Sequence, residues 1–318
     1  MGTSGADGPI PDRPRVVAIL GPTASGKTQL AVCLAKELGG ELVNADSRQG
    51  IRELTIGVCQ PTAAELQGVT CHGLDWSRLG DSFSAAEYRV KATAAVEAIA
   101  SRKRPAIVVG GTGFYIRALL GGFDFGGVAP QARRTDSASG PIDPPSLAVA
   151  AAAELERLDP QRAREVDRSN PRRVIRAVEL ARAGARASQL PPEWSVVKLG
   201  CHVGTGLLRD RIEARSERLV ADPFREEVES LLSRGFSAEL LARTAIGYSE
   251  VIDWAQGRCT RGEAVGRVIA RTWRYAKAQW TWLRTEPDLH WVDAAVSPAA
   301  VTSQCLAAID SAWTARVR

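Results

Sequence analysis

The chain has 318 residues, 24% of them charged and 45% hydrophobic, with a formal net charge of +5. This is the composition of an ordinary globular protein, long enough for one large domain or two unequal ones, and its mild basicity permits an anionic partner without requiring one. Six cysteines without a C-x-x-C spacing exclude a disulfide frame or a zinc site of the usual pattern, and no apolar run approaches the length of a membrane span.

Residues 1–14 are rich in Gly, Pro and Asp and lack the apolar core of a signal peptide. They read as a short disordered leader on a cytoplasmic protein. Val16 to Leu20 reads as a buried strand, and Gln29 to Ala35 as the helix after it. Between them stands Gly21-Pro22-Thr23-Ala24-Ser25-Gly26-Lys27-Thr28, with the G-x-x-x-x-G-K-T spacing of a P-loop. Two glycines let the backbone turn until several N–H groups point into one concavity, and the helix N-terminus adds partial positive charge. Lys27 supplies a full charge, and the Thr28 hydroxyl is placed to meet Mg2+. The loop predicts a polyphosphate site. A nucleotide such as ATP is the default occupant, and the loop alone does not choose.

Glu41 to Asn44 reads as a second strand, ending in Ala45-Asp46-Ser47-Arg48-Gln49. Residues just past a strand's carboxyl end in a parallel sheet share the P-loop's edge. Asp46 is therefore expected near the phosphates, as a base, as a Mg2+ ligand through water, or simply as a turn residue. Residues 50–80 show little periodicity and read as loop with short helical pieces; His72 there is either a catalytic candidate or an ordinary loop histidine. Ser84 and Glu87 fit a capping box opening a helix to about Ala100. Ala106 to Val109 reads as a buried strand, followed by Gly110-Gly111-Thr112-Gly113 and a helix from Phe114 to Leu120, a second strand–turn–helix unit beside the first.

Residues 121–145 are rich in Gly, Pro, Ser and Asp, which marks a boundary. Helices are expected over 146–158 and from Arg172 to about Ala183, the latter with Asn170 as N-cap and Pro171 at its first position. Arg172, Arg173 and Arg176 stand near its start. A strand over Val196–Cys201, helices over 206–221 and 223–233, and a turn at Ala245-Ile246-Gly247-Tyr248 follow. The last strong helix runs from Arg261 to Arg284. Its stripe of Ile269, Trp273, Ala276, Trp280 and Leu283 reads as core; Arg267, Arg271 and Arg274 lie opposite, on nucleic acid or in solvent. The fold class is α/β, a P-loop-type parallel sheet flanked by helices. The core is expected over 15–122 and 193–318, with an inserted helical subdomain over 123–192.

Together these segments resemble the tRNA dimethylallyltransferases (isopentenyltransferases). The resemblance rests on GPTASGKT at 21–28, NADSRQ at 44–49, VVGGTGFYIRALL at 108–120, NPRRVIRAVEL at 170–180, RIEAR at 211–215, AIGYSEVIDW at 245–254 and ARTWRYAKAQWTWLR at 270–284. They stand in the family's order and at roughly its spacing over nearly the whole chain. The resemblance implies that the P-loop holds the diphosphate of dimethylallyl diphosphate, with Mg2+ at Thr28. The acceptor would be the exocyclic amine of the adenosine 3′ to the anticodon, in tRNAs reading codons that begin with U. Asp46 would orient that amine and take its proton, Lys27 and Arg215 would stabilise the departing diphosphate, and Thr23 and Thr112 would line the channel. Asp46 to Gln49, Arg172 to Arg176 and Thr244 to Glu250, with Gly247 and Tyr248 among them, match segments that touch the anticodon stem-loop. The insert would clamp that stem-loop from one side, and the protein would work as a monomer away from membranes.

The chain departs from the family's pattern on the acceptor side. After DSRQ it reads Gly50-Ile51-Arg52-Glu53-Leu54-Thr55-Ile56-Gly57-Val58-Cys59-Gln60-Pro61, without the usual aromatic residue and without the lysine before the proline. Cys71-His72-Gly73-Leu74-Asp75 has one histidine fewer than usual. These changes keep open prenylation of a free adenine nucleotide or another small acceptor. A small-molecule kinase using ATP and a silent tRNA-binding paralogue are the other readings.

Overall fold

The computed structural model describes residues 13–121, 123–124, 144–182, 184, 188–189 and 194–315. The expected leader lies almost wholly outside them, as does most of the Gly- and Pro-rich boundary. In chain order the elements are β1 (Arg15–Leu20), α1 (Lys27–Leu38), β2 (Glu41–Asn44), α2 (Ala63–Leu66), β3 (Cys71–His72), α3 (Ala85–Ser101), β4 (Ala106–Gly110) and α4 (Gly113–Leu120). Then come β5 (Phe123–Asp124), α5 (Pro144–Leu158), α6 (Pro160–Glu165), α7 (Pro171–Arg182) and β6 (Ser188–Gln189). The chain closes with β7 (Ser195–His202), α8 (Thr205–Leu219), α9 (Asp222–Ser233), α10 (Ala238–Thr244), α11 (Tyr248–Ala255), α12 (Arg261–Leu283), β8 (Leu289–Asp293) and α13 (Pro298–Ala315). The described residues fall into two compact units, one within Met1–Asp81, Lys91–Ile116 and Glu193–Arg318, the other within Ser82–Val90 and Arg117–Pro192.

The first unit is built on a six-stranded sheet in the order β3-β2-β4-β1-β7-β8, and every pairing in it is parallel. Its central strand β1 is covered on both faces, which is why it reads as an unbroken apolar run. On one face α1 and α13 pack over the sheet, with Leu30, Leu34, Val301, Cys305 and Ile309 closing on Val17, Ile19, Leu199 and Cys201. Helix α1 ends where Gly39 adopts a left-handed conformation that residues with a Cβ resist. A separate cluster joins α8 to α12 with the 50–80 loop through Leu54, Leu79, Phe224, Val228, Tyr248, Val251 and Val268. Because all six strands run the same way, the P-loop after β1, Asp46 after β2 and the glycine turn after β4 share the sheet's carboxyl edge.

Sequence periodicity missed α6, α10 and α13 and the strands β3, β5, β6 and β8. Helix α13 is rich in alanine, so its buried face shows only as Val301, Cys305 and Ile309 at four-residue steps. Helix α12 behaves as expected on its apolar side, where Ala276 and Leu283 are buried and Trp273 and Trp280 pack beside Leu208 and Ile212. Its arginine face is not simply wet. Arg267 pairs with Asp253 at 3.1 Å and Arg271 with Glu250 at 2.6 Å, so both brace α11; Arg274 is exposed.

In the second unit α5, α6 and α7 close around Leu155, Ala163, Ala177 and Val178. Arg182 on α7 meets the Glu154 carboxylate on α5 through Nε and Nη2, both at 2.7 Å. Helix α7 opens at Pro171, and the Asn170 carbonyl accepts from Arg173 and Val174. β5 and β6 form a two-residue antiparallel pair.

Candidate functional site

The P-loop closes on itself before α1 begins. Ser25 N–H donates to the Pro22 carbonyl at 3.3 Å, and Gly26, with φ of 88°, is the N-cap. That dihedral lies in the region glycine alone adopts without strain. Lys27 Nζ donates to the Pro22 carbonyl at 3.2 Å, which folds the side chain back over the loop. Burial pushes the Lys27 ammonium below its ordinary range; Asp46 pulls it up and Arg215 pushes it further down. The lysine is thus short of solvation, and an anionic polyphosphate in the loop would favour its charged form.

The Asp46 carboxylate divides its work. Its Oδ1 accepts from the N–H groups of Arg48 at 2.9 Å and Gln49 at 3.4 Å, which ties down the turn. Its Oδ2 has no hydrogen-bond partner among the described residues. The turn-residue role and the role of base are therefore compatible, one on each oxygen. The buried Asn44 side chain holds the same turn from below, accepting from Asp46 N–H at 3.0 Å and donating to the Asp46 and Gly73 carbonyls.

The glycine turn after β4 is joined to this carboxylate. Thr112 N–H donates to the Ala45 carbonyl at 3.2 Å, and Ser47 N–H donates to Thr112 Oγ1 at 3.0 Å. Thr112 thus supports Asp46 through its neighbours.

Helix α8 brings two arginines to the P-loop, one turn apart. Arg215 donates from Nη1 to Thr23 Oγ1 and from Nε to Cys59 Sγ, both at 3.3 Å. Arg211, which sequence reasoning passed over, donates to the Ser25 carbonyl at 3.4 Å and the Ala294 carbonyl at 3.1 Å. Also missed was Gln279 on α12, buried at 2% exposure, which accepts from Thr23 N–H at 2.8 Å and donates to the Gly111 carbonyl at 3.0 Å. Its only sequence signal is an amide set into the apolar stripe of its helix. One cleft of about 1380 Å³ is lined by Thr23 to Thr28, Asp46 to Gln49, Thr112, Arg211, Arg215, Arg271 and Tyr275.

The altered 50–61 stretch is well held. Gln49 Nε2 donates to the Cys59 carbonyl at 2.8 Å, and Gln60, standing where the family pattern has lysine, donates to the Gln49 and Leu74 carbonyls at 2.8 and 2.7 Å. Glu227 on α9, also missed, accepts from the N–H groups of Thr55, Ile56 and Gly57 and from the Tyr248 hydroxyl. This corrects the expectation for Tyr248. Its side chain is 0% exposed and packs edge-on against Phe224, so it holds the loop from inside and offers no surface to RNA. Gly247 caps α11, its N–H donating to Glu250 at 3.1 Å. His72 is a structural partner, with Nε2 at 2.8 Å from Glu41 Oε2.

In the second unit Arg173 is exposed and pairs with Asp167 at 3.2 Å; Arg176 is largely covered and pairs with Glu179 at 2.8 Å. The Arg172 side chain lies outside the described residues.

For Mg2+ the donor set is sparse. The Thr28 hydroxyl lines the cleft and makes no hydrogen bond among the described residues. No three His, Cys, Asp or Glu among them gather as a metal group. That fits an ion held mainly by substrate phosphates and water, as Mg2+ favours. The thiols of Cys201 and Cys305 are pushed up by burial, to about 12 and about 11, and none of the six cysteines is paired. No helix among the described residues is long and apolar enough to cross a membrane.

Residues 49–286 match the family model described as IPP transferase. The chain is 39% identical over 288 residues to tRNA dimethylallyltransferase 1 of Citrifermentans bemidjiense, covering 88% of this chain and 92% of that protein. It is 38% identical over 309 residues to tRNA dimethylallyltransferase 1 of Pelobacter propionicus, covering 93% and 98%. The crystal structure of the tRNA isopentenylpyrophosphate transferase from Bacillus halodurans superposes with a TM-score of 0.69 at 30% identity, over 96% of this chain and 100% of that one.

Proposed function

The chain belongs to the IPP transferase family, and on that premise we propose that it transfers a dimethylallyl group from dimethylallyl diphosphate to N6 of the adenosine 3′ to the anticodon. The substrates are tRNAs reading codons that begin with U, and diphosphate is the second product. The reading takes Mg2+ at Thr28 as cofactor and a cytoplasmic monomer as the working form.

The observation that carries it is the Asp46 carboxylate, anchored through Oδ1 and open at Oδ2, in the cleft that also holds the P-loop and Arg215. In the reaction the C1–O bond of the donor breaks and the diphosphate leaves with the electron pair. The adenine N6 lone pair bonds to C1, and the N6 proton passes to Asp46 Oδ2. The amine is weakly basic, so a base must be in place as positive charge develops on it. The leaving group gathers charge in the transition state, where P-loop N–H groups, Lys27 and Arg215 stabilise it more than in the ground state. Bound Mg2+ supplies further neutralisation of that charge. The target base must leave its stack to reach the cleft.

The insert over 123–192, with Arg172, Arg173 and Arg176, is the second RNA-binding element of this proposal, beside Ser47, Arg48 and Gln49. A free nucleotide acceptor and γ-phosphoryl transfer are not favoured by the family membership.

The test offers the purified protein dimethylallyl diphosphate and Mg2+ with an anticodon stem-loop, AMP or ATP. Prenylated stem-loop and one diphosphate per transfer are expected. Prenylation of AMP but not of the stem-loop would overturn the proposal. Asp46→Ala should abolish transfer while stem-loop binding stays measurable, and near-normal turnover would remove Asp46 from the mechanism.

A further inference from the structure

One buried amide joins the two loops that the reaction must keep at a set distance. Gln279 Oε1 accepts from Thr23 N–H at 2.8 Å, across 256 positions of sequence, and its Nε2 donates to the Gly111 carbonyl at 3.0 Å, across 168. On one side is the P-loop, which carries the donor. On the other is the glycine turn, whose Thr112 holds Ala45 and Ser47 on either side of Asp46. Gly111 is glycine for this contact: a Cβ there would stand 2.4 Å from Gln279 Nε2 and 3.8 Å from Asp46 Oδ2. The amide therefore packs into the wall of the cleft, directly behind the carboxylate.

An amide supplies both bonds at every pH. Ionised glutamate has no hydrogen to give the Gly111 carbonyl, lysine has no acceptor for Thr23 N–H, and methionine has neither. With 2% exposure, water cannot substitute for a lost bond. The side chain touches neither reacting atom as the mechanism draws them. Its effect is on the gap between them, and a misplacement of about 1 Å at a reacting pair costs about 100-fold in rate.

We propose that Gln279 is a positioning residue that sets the separation between the donor C1 on the P-loop and the acceptor amine at Asp46, and thereby keeps water from capturing the allylic carbon. This rests on the function proposed above. In the side reaction the C1–O bond breaks and diphosphate leaves with the pair. A water oxygen then bonds to C1, and its proton passes to the carboxylate or to solvent, giving dimethylallyl alcohol. Correct spacing places the amine at C1 before water can enter. A loosened gap admits water, and diphosphate is released without prenyl transfer.

The experiment measures diphosphate released and prenyl groups transferred to an anticodon stem-loop in the same tube, for wild type, Gln279→Glu and Gln279→Met. Wild type should release one diphosphate per transfer. The variants should lose about 10- to 100-fold in kcat, keep a donor KM within about 3-fold of wild type, and release several diphosphates per transfer, with dimethylallyl alcohol as the missing product. Gly111→Ala, which drives a Cβ against Nε2 from the other side, should uncouple in the same way and serves if the Gln279 variants do not fold. Coupling that stays at one to one in the variants, whatever happens to kcat or melting temperature, overturns the proposal and leaves Gln279 a packing residue. If wild type itself transfers nothing to the stem-loop, the function reading fails, and this inference with it.

Discussion

Arg215 Nη1 donates to the Thr23 hydroxyl at 3.3 Å, although 192 positions of sequence separate them. The same guanidinium donates from Nε to Cys59 Sγ, so its plane is fixed by contacts at two of its nitrogens and its remaining N–H groups are available to the cleft. This is the geometry a leaving diphosphate needs: planar, permanently charged and already oriented. Arg215→Ala should lower kcat about 100- to 1000-fold, the usual effect of removing one preorganised donor from a developing anion. Arg215→Lys should recover little of it, since one ammonium cannot occupy both anchoring positions. Steady-state kinetics at saturating stem-loop checks this, and a lysine variant at near wild-type kcat would show that charge alone suffices.

Lys27 gives a pH prediction whose sign follows from its surroundings. Burial lowers its pKa from the ordinary 10.5, with Asp46 opposing and Arg215 assisting. In the free enzyme the ammonium therefore loses its proton at a lower pH than an exposed lysine would. Because kcat/KM reports the free enzyme, kcat/KM for dimethylallyl diphosphate should fall on the alkaline side with a pKa below 10.5. Bound diphosphate restores a counter-anion, so the alkaline limb of kcat should lie at higher pH than that of kcat/KM. Parallel profiles measured over the alkaline range check the offset, and coincident limbs would take Lys27 out of donor binding.

What could be read from the chain, and what could not, follows from how local each feature is. The P-loop is eight consecutive residues with a strand before and a helix after, so its fold and its fitness for a polyphosphate are written in one stretch, though not which polyphosphate. Asp46 was placed correctly at the sheet edge but stayed ambiguous between turn residue and base, because sequence cannot say that its two oxygens differ. Gln279 and Glu227 left little local mark. Their partners lie 256 and 170 positions away, and a lone polar residue on an amphipathic helix looks the same whether it faces solvent or a backbone. Tyr248 misled for a related reason: a motif residue reads as a contact residue, whereas here it is internal scaffolding. The arginines of α12 looked like an RNA face or a wet one until Asp253 and Glu250 on α11 were seen opposite two of them.

Glu227 should prove to be the anchor of the acceptor-side loop. Its two oxygens accept from three consecutive backbone N–H groups, from the Thr55 hydroxyl at 2.7 Å and from the Tyr248 hydroxyl at 2.7 Å. Glu227→Ala strands a buried phenol and frees Thr55 to Gly57, at a cost of about 3 kcal/mol. Tyr248→Phe removes one bond and keeps the ring packing, so about 1 kcal/mol is expected. Urea midpoints measure both. Since the loop carries Cys59 to Arg215, Glu227→Ala should also raise the donor KM, and an unchanged KM would separate the loop from the donor site.

The Glu41 cluster predicts acid sensitivity away from the reaction. Burial works to raise this carboxyl, but hydrogen bonds from Arg102 and His72 outweigh it and take the pKa down to about 2 from an ordinary 4.5. A carboxylate with a lowered folded pKa contributes stability that is present in full above the unfolded value and lost as pH falls through the folded one. The window here is about pH 4.5 down to about 2, and the contribution lost across it is about 3 kcal/mol. Thermal melts of wild type should show a steeper fall in stability through that window than melts of Glu41→Gln. His72→Ala removes one of the partners and leaves Arg102 at 2.7 Å and Arg104 at 3.3 Å, so it should cost only about 1 kcal/mol at neutral pH and spare kcat. The matching readout is prenyl transfer at 25 °C, where His72→Ala should run at the wild-type rate. A large loss of kcat in a folded His72 variant would return that histidine to the list of catalytic candidates.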